Sequence, residues 1–179
     1  MKITKATDID KHKIVLDGCM ITYTGIVFDL MNPNPDLIIL EDIAHGLAFN
    51  SRWNGATKRL YTIAEHSIRV ANHFSHDSKR QLTALFHDTE EAYWGDMIKP
   101  LKEIIKINSP EVLQKMKHLR FLIFDKFKIP HFDVSTEDWY ELQWDFENLI
   151  LNNNHIPMPP DMAEIKWLTE YRNLLTLKS

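Results

Sequence analysis

"TIAEHSIRVANHFSHDSKRQLTALFHDTEEAYW", residues 62–94, decides how this chain is read. Apolar or small residues recur through Ile63, Ser67, Val70 and Phe74, and again through Leu82, Leu85, Phe86 and Tyr93. A period near 3.6 gathers such residues on the one helix face that packs inward. Thr62 and Ser78 stand where a hydroxyl caps a helix N-terminus. Two successive helices are therefore expected. Polar groups break the pattern at two places. His66 lies between Ala64 and Ile68, and the adjacent pair His87-Asp88 closes an apolar run. Asp88, Glu90, Glu91 and Asp96 then fall within nine positions. The pair marks either a solvated helix end or a metal site.

The flanking sequence is also mainly helical in pattern. Residues 12–29 alternate loosely around Asp17-Gly18 and read as a short hairpin. "MNPNPD" (31–36) is a turn-rich break. "DLIILEDIAHGLAFNSR" sets Ile39, Ile43 and Leu47 on one side. Pro100 interrupts or starts an element. Ser109-Pro110 reads as an N-cap followed by a first-turn proline. "STEDWYELQWDFENLILNN" and "DMAEIKWLTEYRNLLTL" complete a set of about six helices. The expected fold class is all-α: a bundle with a small N-terminal β-hairpin. The expected organisation is a single domain over 1–179, with the hairpin at about 12–29 and the helical body at about 37–177.

The 179 residues carry a net charge of −4. That argues against a sequence-independent grip on polymeric nucleic acid, which needs a dense basic face, but not against a nucleotide. Cys19 is the one cysteine, so an internal disulfide and a cysteine-based zinc site are both excluded. A reducing compartment is expected. The N-terminus lacks the apolar core of a signal peptide, and no run reaches the roughly 20 apolar residues that span a bilayer. With five glycines, the chain shows neither a P-loop nor GxGxxG.

Taken alone, His66 reads as a buried histidine bonded to a backbone carbonyl. Together with His87-Asp88 it offers imidazole nitrogen and carboxylate oxygen, the donors that intermediate divalent cations take. Adjacent helical side chains diverge by about 100°, so His87 and Asp88 can share an ion only near a helix end, between packed helices. Asp145, among Leu142, Trp144, Phe146 and Leu149, is a candidate fourth ligand from a distant helix. The other reading of Asp145 is an exposed position on an amphipathic helix.

"AEHS" (64–67), "LFHDTEEAYWGDMIKPLK" (85–102) and the late Asp145 resemble the HD-domain metal-dependent phosphohydrolases. The match is to the small five-prime-nucleotidase-like branch, and "TYTGIVFDLMNPNPDLIILEDIAHGLAFNSRWNG" resembles its compact phage and bacterial members. The likeness covers roughly residues 20–170. It implies that His66, His87, Asp88 and Asp145 bind a divalent metal: Mn, Co, Fe, Zn, Ni or Mg. It implies that Glu91, the Glu of "HDxxE", orients or deprotonates the attacking water, with neighbouring Glu90 a surface charge. Asp96 would lie near the sugar or the leaving oxygen. Lys102 and Arg52 would meet phosphate, and Trp53 would either stack on a base or fill core. The Arg52–His66 spacing is one residue shorter than in the bacterial members, so Lys58 and Arg59 stay open as phosphate partners.

The activity so implied is hydrolysis of phosphate esters or anhydrides of deoxynucleotides, in a monophosphatase or a di- or triphosphatase version. Some phage relatives are dATP phosphohydrolases, which sharpens the expectation to adenine deoxynucleotides. Two other readings stand beside it. One is an HD hydrolase of a cyclic or alarmone nucleotide, whose members carry extra ligand histidines or a synthetase domain. The other is a non-enzymatic helical binding module in which the His-Asp pair is structural. The expected partner is a small nucleotide, with no membrane. A homo-oligomer is expected, with "FLIFDKF" (121–127) as either core or interface. Residues 103–108 and 152–160 are expected as loops over the substrate. The expected location is the cytoplasm of a bacterial cell, with phage coding as one source.

Overall fold

The computed structural model describes residues 18–132 and 156–177. Strands β1 (Cys19–Ile21) and β2 (Val27–Asp29) precede helices α1 (Leu40–Phe49), α2 (Ile63–His73) and α3 (Ser78–Phe86). The one-turn α4 (Glu91–Trp94), α5 (Lys99–Asn108), α6 (Pro110–Phe127) and α7 (Pro160–Thr176) follow. The fold is an all-α bundle with a small antiparallel hairpin at its N-terminal side. No helix among the described residues is long and apolar enough to cross a membrane.

The hairpin turns at a different place from the one expected. Cys19 pairs with Asp29 and Ile21 with Val27, so the reversal lies at Thr22–Gly25. Thr22 N–H donates to Ile26 O at 2.9 Å, and Gly25 N–H to Thr22 O at 2.9 Å. Gly25 has φ 82°, a left-handed value that a side chain disfavours. Gly18 instead lies beside β2, its carbonyl accepting from Leu30 N–H at 2.8 Å. Thr24 docks the hairpin on α1: its N–H and hydroxyl both donate to buried Asp42, at 2.8 and 3.0 Å.

Helix α2 is the centre of the bundle, packed on α1, α3 and α7. Its N-cap is Thr62, whose hydroxyl accepts from Glu65 N–H at 3.1 Å. The cap of α3 is Asp77 rather than Ser78; its carboxylate accepts from the N–H groups of Lys79 and Arg80. A carboxylate there also meets the positive end of the helix dipole. Helix α3 does not run on to Trp94. It ends at Phe86, and a turn of residues 87–90 leads into α4. Ser109 occupies the cap position of α6 without a side-chain capping bond. Pro100 lies in the first turn of α5, so residues 103–108, expected as a loop, are helical.

The core holds Ile43 and Leu47 of α1, Ile63 and Val70 of α2, Leu82 and Phe86 of α3, and Trp167 of α7. Trp167 is fully buried, 5.0 Å from the Phe86 ring between centroids, and its indole N–H donates to Leu85 O at 3.2 Å. Within 121–127, Ile123 and Phe124 are core while Phe121 is exposed. Helices α1 and α4 meet at Gly46, where a Cβ would stand 2.7 Å from the Ala92 carbonyl oxygen. Glycine at 46 therefore sets how closely α4 approaches α1.

Candidate functional site

Three buried side chains converge where α2 meets the end of α3. His66 comes from the first turn of α2, and His87 and Asp88 from the turn after α3. The Nε2 atoms of His66 and His87 lie 3.2 Å apart. Asp88 Oδ2 is 2.9 Å from His87 Nε2 and 3.7 Å from His66 Nε2. This group, with its donor atoms all within 4.8 Å of one another, can hold a metal ion. The end of α3 brings the pair together: His87 keeps right-handed helical angles (φ −62°, ψ −26°), but the chain tightens there into i→i−3 bonds, Thr89 N–H to Phe86 O and Glu91 N–H to Asp88 O, which replace the regular α ladder.

Hydrogen bonding around His87 suits ligation. His87 Nδ1 lies 2.7 Å from Ala84 O, which only accepts, so Nδ1 donates there and Nε2 is the nitrogen turned to His66 and Asp88. His66 Nδ1 is buried with no hydrogen-bond partner among the described residues. Burial first, then Arg52 and His87, hold the His66 imidazole well below its ordinary range. It is therefore neutral, as a ligand must be. Burial pushes the Asp88 carboxyl up, but His87, Arg52 and His66 outweigh it and hold it well below the usual carboxylate range. Two imidazoles and a carboxylate at one point are a donor set that fits a divalent cation. Asp145, the expected fourth ligand, lies outside the described residues.

Around the triad lies a second ring of charge. Arg52 begins a loop closed at its base, where Arg52 N–H donates to Tyr61 O at 2.8 Å and Ile63 N–H to Asn50 O at 3.1 Å. Its guanidinium reaches Asp88 at 3.2 Å, Asp96 at 3.0 Å and Glu91 at 3.6 Å. Trp53 follows it with φ 51°, and Asn54 also has φ 51°, two left-handed residues in succession. Asp96 holds this strained turn from both sides: one oxygen accepts from Arg52 and the other from Trp53 N–H. Both Asp96 oxygens are thus engaged in positioning the turn. Trp53 is half-buried and stacks toward Tyr61, with 6.3 Å between centroids.

Glu91 is fully buried, within 3.2 Å of Lys102 Nζ. Burial and the Asp88 charge push its carboxyl well above the ordinary range, against the pull of Lys102 and Arg52. Lys102 keeps 40% of its side chain exposed whereas Arg52 keeps 9%, so the lysine is the cation that solvent ions can reach. Lys58 and Arg59 are exposed on the loop. Glu90 departs from the expectation of a surface charge. It is buried, and Arg120 of α6 grips both its oxygens, Nε at 2.9 Å and the second contact through Nη2. Arg120 was not singled out from sequence. The available signal was a cation inside the apolar run "LRFLIF", which needs a partner if it is buried. Glu65, beside His66, is likewise buried and accepts from Arg69 at 3.2 Å and from Met158 N–H at 2.8 Å.

No family model matches the chain. It is similar to an uncharacterized protein of Rhodobacter capsulatus, 42% identical over 108 residues, covering 55% of each chain. It is also similar to the uncharacterized protein YfdR of Escherichia coli, 28% identical over 109 residues, covering 61% of this chain and 58% of that one. The chain thus spans little more than half the length of the curated relatives it matches.

Proposed function

We propose that this chain is an HD-type metal-dependent phosphohydrolase acting on deoxynucleotides, with adenine deoxynucleotides as the sharper reading. One observation carries it. His66, His87 and Asp88 meet at a point, and Glu91, Arg52 and Lys102 stand directly around them. A structural ion cluster does not require three ligand atoms to converge within 4.8 Å of one another.

A divalent ion, when bound, supplies hydroxide at neutral pH and neutralises phosphoryl charge. The chain's own residues do the rest. Burial keeps His66 neutral, and the Ala84 carbonyl fixes the His87 tautomer. Glu91, whose proton affinity burial and the Asp88 charge raise, is suited to take up and return a proton. Lys102 meets the phosphate from the exposed side. Arg52 adds fixed positive charge from behind, and Trp53 offers a ring face to a base. The ligand set admits Mn, Co, Fe, Zn, Ni or Mg. Asp145 remains the proposed fourth ligand.

The test is phosphate release from the common deoxynucleoside mono- and triphosphates with Mn, Co, Mg and Zn, with Asp88→Ala alongside. Turnover of one base series that Asp88→Ala abolishes is the expected result. A folded protein silent on every pair, but active on cyclic nucleotides, would replace the substrate class. Silence there too would leave the binding-module reading.

A further inference from the structure

From the buried ion pair between α6 and the ligand turn we infer that Arg120 is a positioning residue for the metal site, acting through Glu90. This rests on the metal-hydrolase reading above and adds a residue to it. The turn 87–90 carries His87 and Asp88, and the next residue is Glu91. Its backbone is tightly wound: Thr89 N–H donates to Phe86 O at 3.1 Å and Glu91 N–H to Asp88 O at 3.0 Å. Thr89 Oγ adds a bond to Phe86 O at 2.8 Å. In so short a turn the direction of one side chain fixes its neighbours. Asp88 and Glu91 face the site, and Glu90 faces α6. A planar guanidinium that grips both Glu90 oxygens therefore fixes the turn in rotation as well as distance.

Two features separate this pair from an ordinary surface ion pair. Glu90 is 1% exposed, so its charge has no solvent to fall back on. The same helical hairpin also makes a second grip. Lys102 of α5 holds Glu91, the residue after Glu90, at 3.2 Å. Successive acids, the last of the ligand turn and the first of α4, are thus held by successive helices. Helix α6 is itself anchored by core residues Leu119, Ile123 and Phe124 on either side of Arg120 in sequence. The chain Leu119–Arg120–Glu90–Asp88 links the bundle core to a ligand oxygen.

The experiment is Co²⁺ titration by calorimetry and by the visible spectrum of the bound ion, with melting temperature recorded alongside. It compares wild type with the double variant Glu90→Met/Arg120→Met, which removes the pair without leaving a lone buried charge. We expect the double variant to melt near wild type, to bind Co²⁺ about tenfold or more weakly, and to show an altered spectrum. A folded double variant with wild-type affinity and spectrum overturns the inference, because the pair would then be merely structural. Should the double variant not fold, Arg120→Lys gives the reading, since it keeps the charge and loses the fork. An altered Co²⁺ spectrum there supports positioning, and an unaltered one overturns it. Wild type that takes up no Co²⁺ overturns the metal reading itself, a result distinct from a variant that matches a metal-loaded wild type.

Discussion

The Nε2 atoms of His66 and His87 face each other at 3.2 Å, from two different helical segments. Two lone pairs held at that distance repel unless a proton or a cation lies between them. Added Co²⁺ or Mn²⁺ should therefore raise the melting temperature. A ligand specific to the folded state, at a hundred times its Kd, stabilises by about 2.7 kcal/mol. For a chain of this size that is a rise of roughly 5–10 °C. His66→Ala should abolish the shift while the metal-free protein stays folded. An equal metal-induced shift in His66→Ala would show that the ion binds elsewhere.

Asp96 is predicted to act on the Arg52–Trp53 turn rather than on substrate. Consecutive left-handed residues each cost on the order of 1 kcal/mol, and the two Asp96 oxygens offset that cost. Asp96→Ala should destabilise by about 1–3 kcal/mol. Trp53 fluorescence should also become more accessible to a soluble quencher. Unchanged quenching beside a lowered melting temperature would mean that the turn survives without its anchor.

Glu91 gives a pH signature in the metal-free protein. Its carboxyl is raised well above the ordinary range of about 4.5, so the folded state binds the proton more tightly than the unfolded state. That contribution is complete below the unfolded value and is lost as pH rises through the folded value. The slope is at most about 1.4 kcal/mol per pH unit for one group. Glu91→Gln cannot ionise and should escape the loss. The variant should therefore melt above wild type at pH 8, with the gap closing toward pH 4.5. A gap that widens on acidification would reverse the sign and refute the raised proton affinity. Denaturation of both proteins in chelator across this range decides it.

The helices and the His66, His87 and Asp88 set were legible because both are encoded at short range. Periodicity marks α2 and α3, and a polar residue inside an apolar face announces itself. Glu90 was misread for the opposite reason. Its partner is thirty residues away on α6, and spacing along one helix says nothing of what a neighbouring helix presents. The hold of Asp96 on the loop was not foreseen, because its partners, Arg52 and the Trp53 amide, lie over forty residues upstream. The α3 stop at Phe86 was also invisible. "FHDTEEAYW" contains neither glycine nor proline, and the break is marked instead by local side-chain bonds to the last carbonyls of α3, from His87 to Ala84 O and from Thr89 to Phe86 O. The hairpin turn went to Asp17-Gly18 because that dipeptide suits a two-residue turn. The actual turn uses Gly25 and is secured by Asp42 of α1.

Arg52 and Lys102 both touch Glu91, yet their removal should read out differently. Arg52 is buried among Asp88, Glu91 and Asp96. Arg52→Ala leaves three carboxylates crowded without that cation, and breaking a buried pair in this way costs about 3–5 kcal/mol. Its first consequence should be a lowered melting temperature, and its second a loss of turnover that added metal does not restore. Lys102 has two-fifths of its side chain in solvent, where an ion pair contributes about 0–1 kcal/mol. Lys102→Ala should melt close to wild type. Under the proposed chemistry it should raise KM for the nucleotide at least tenfold, because the reachable phosphate cation is gone. Lys102→Arg should recover part of that loss. Melting curves and steady-state kinetics on the same preparations test both. A Lys102→Ala protein with wild-type KM would take the phosphate away from Lys102 and turn attention to Lys58 and Arg59 on the exposed loop.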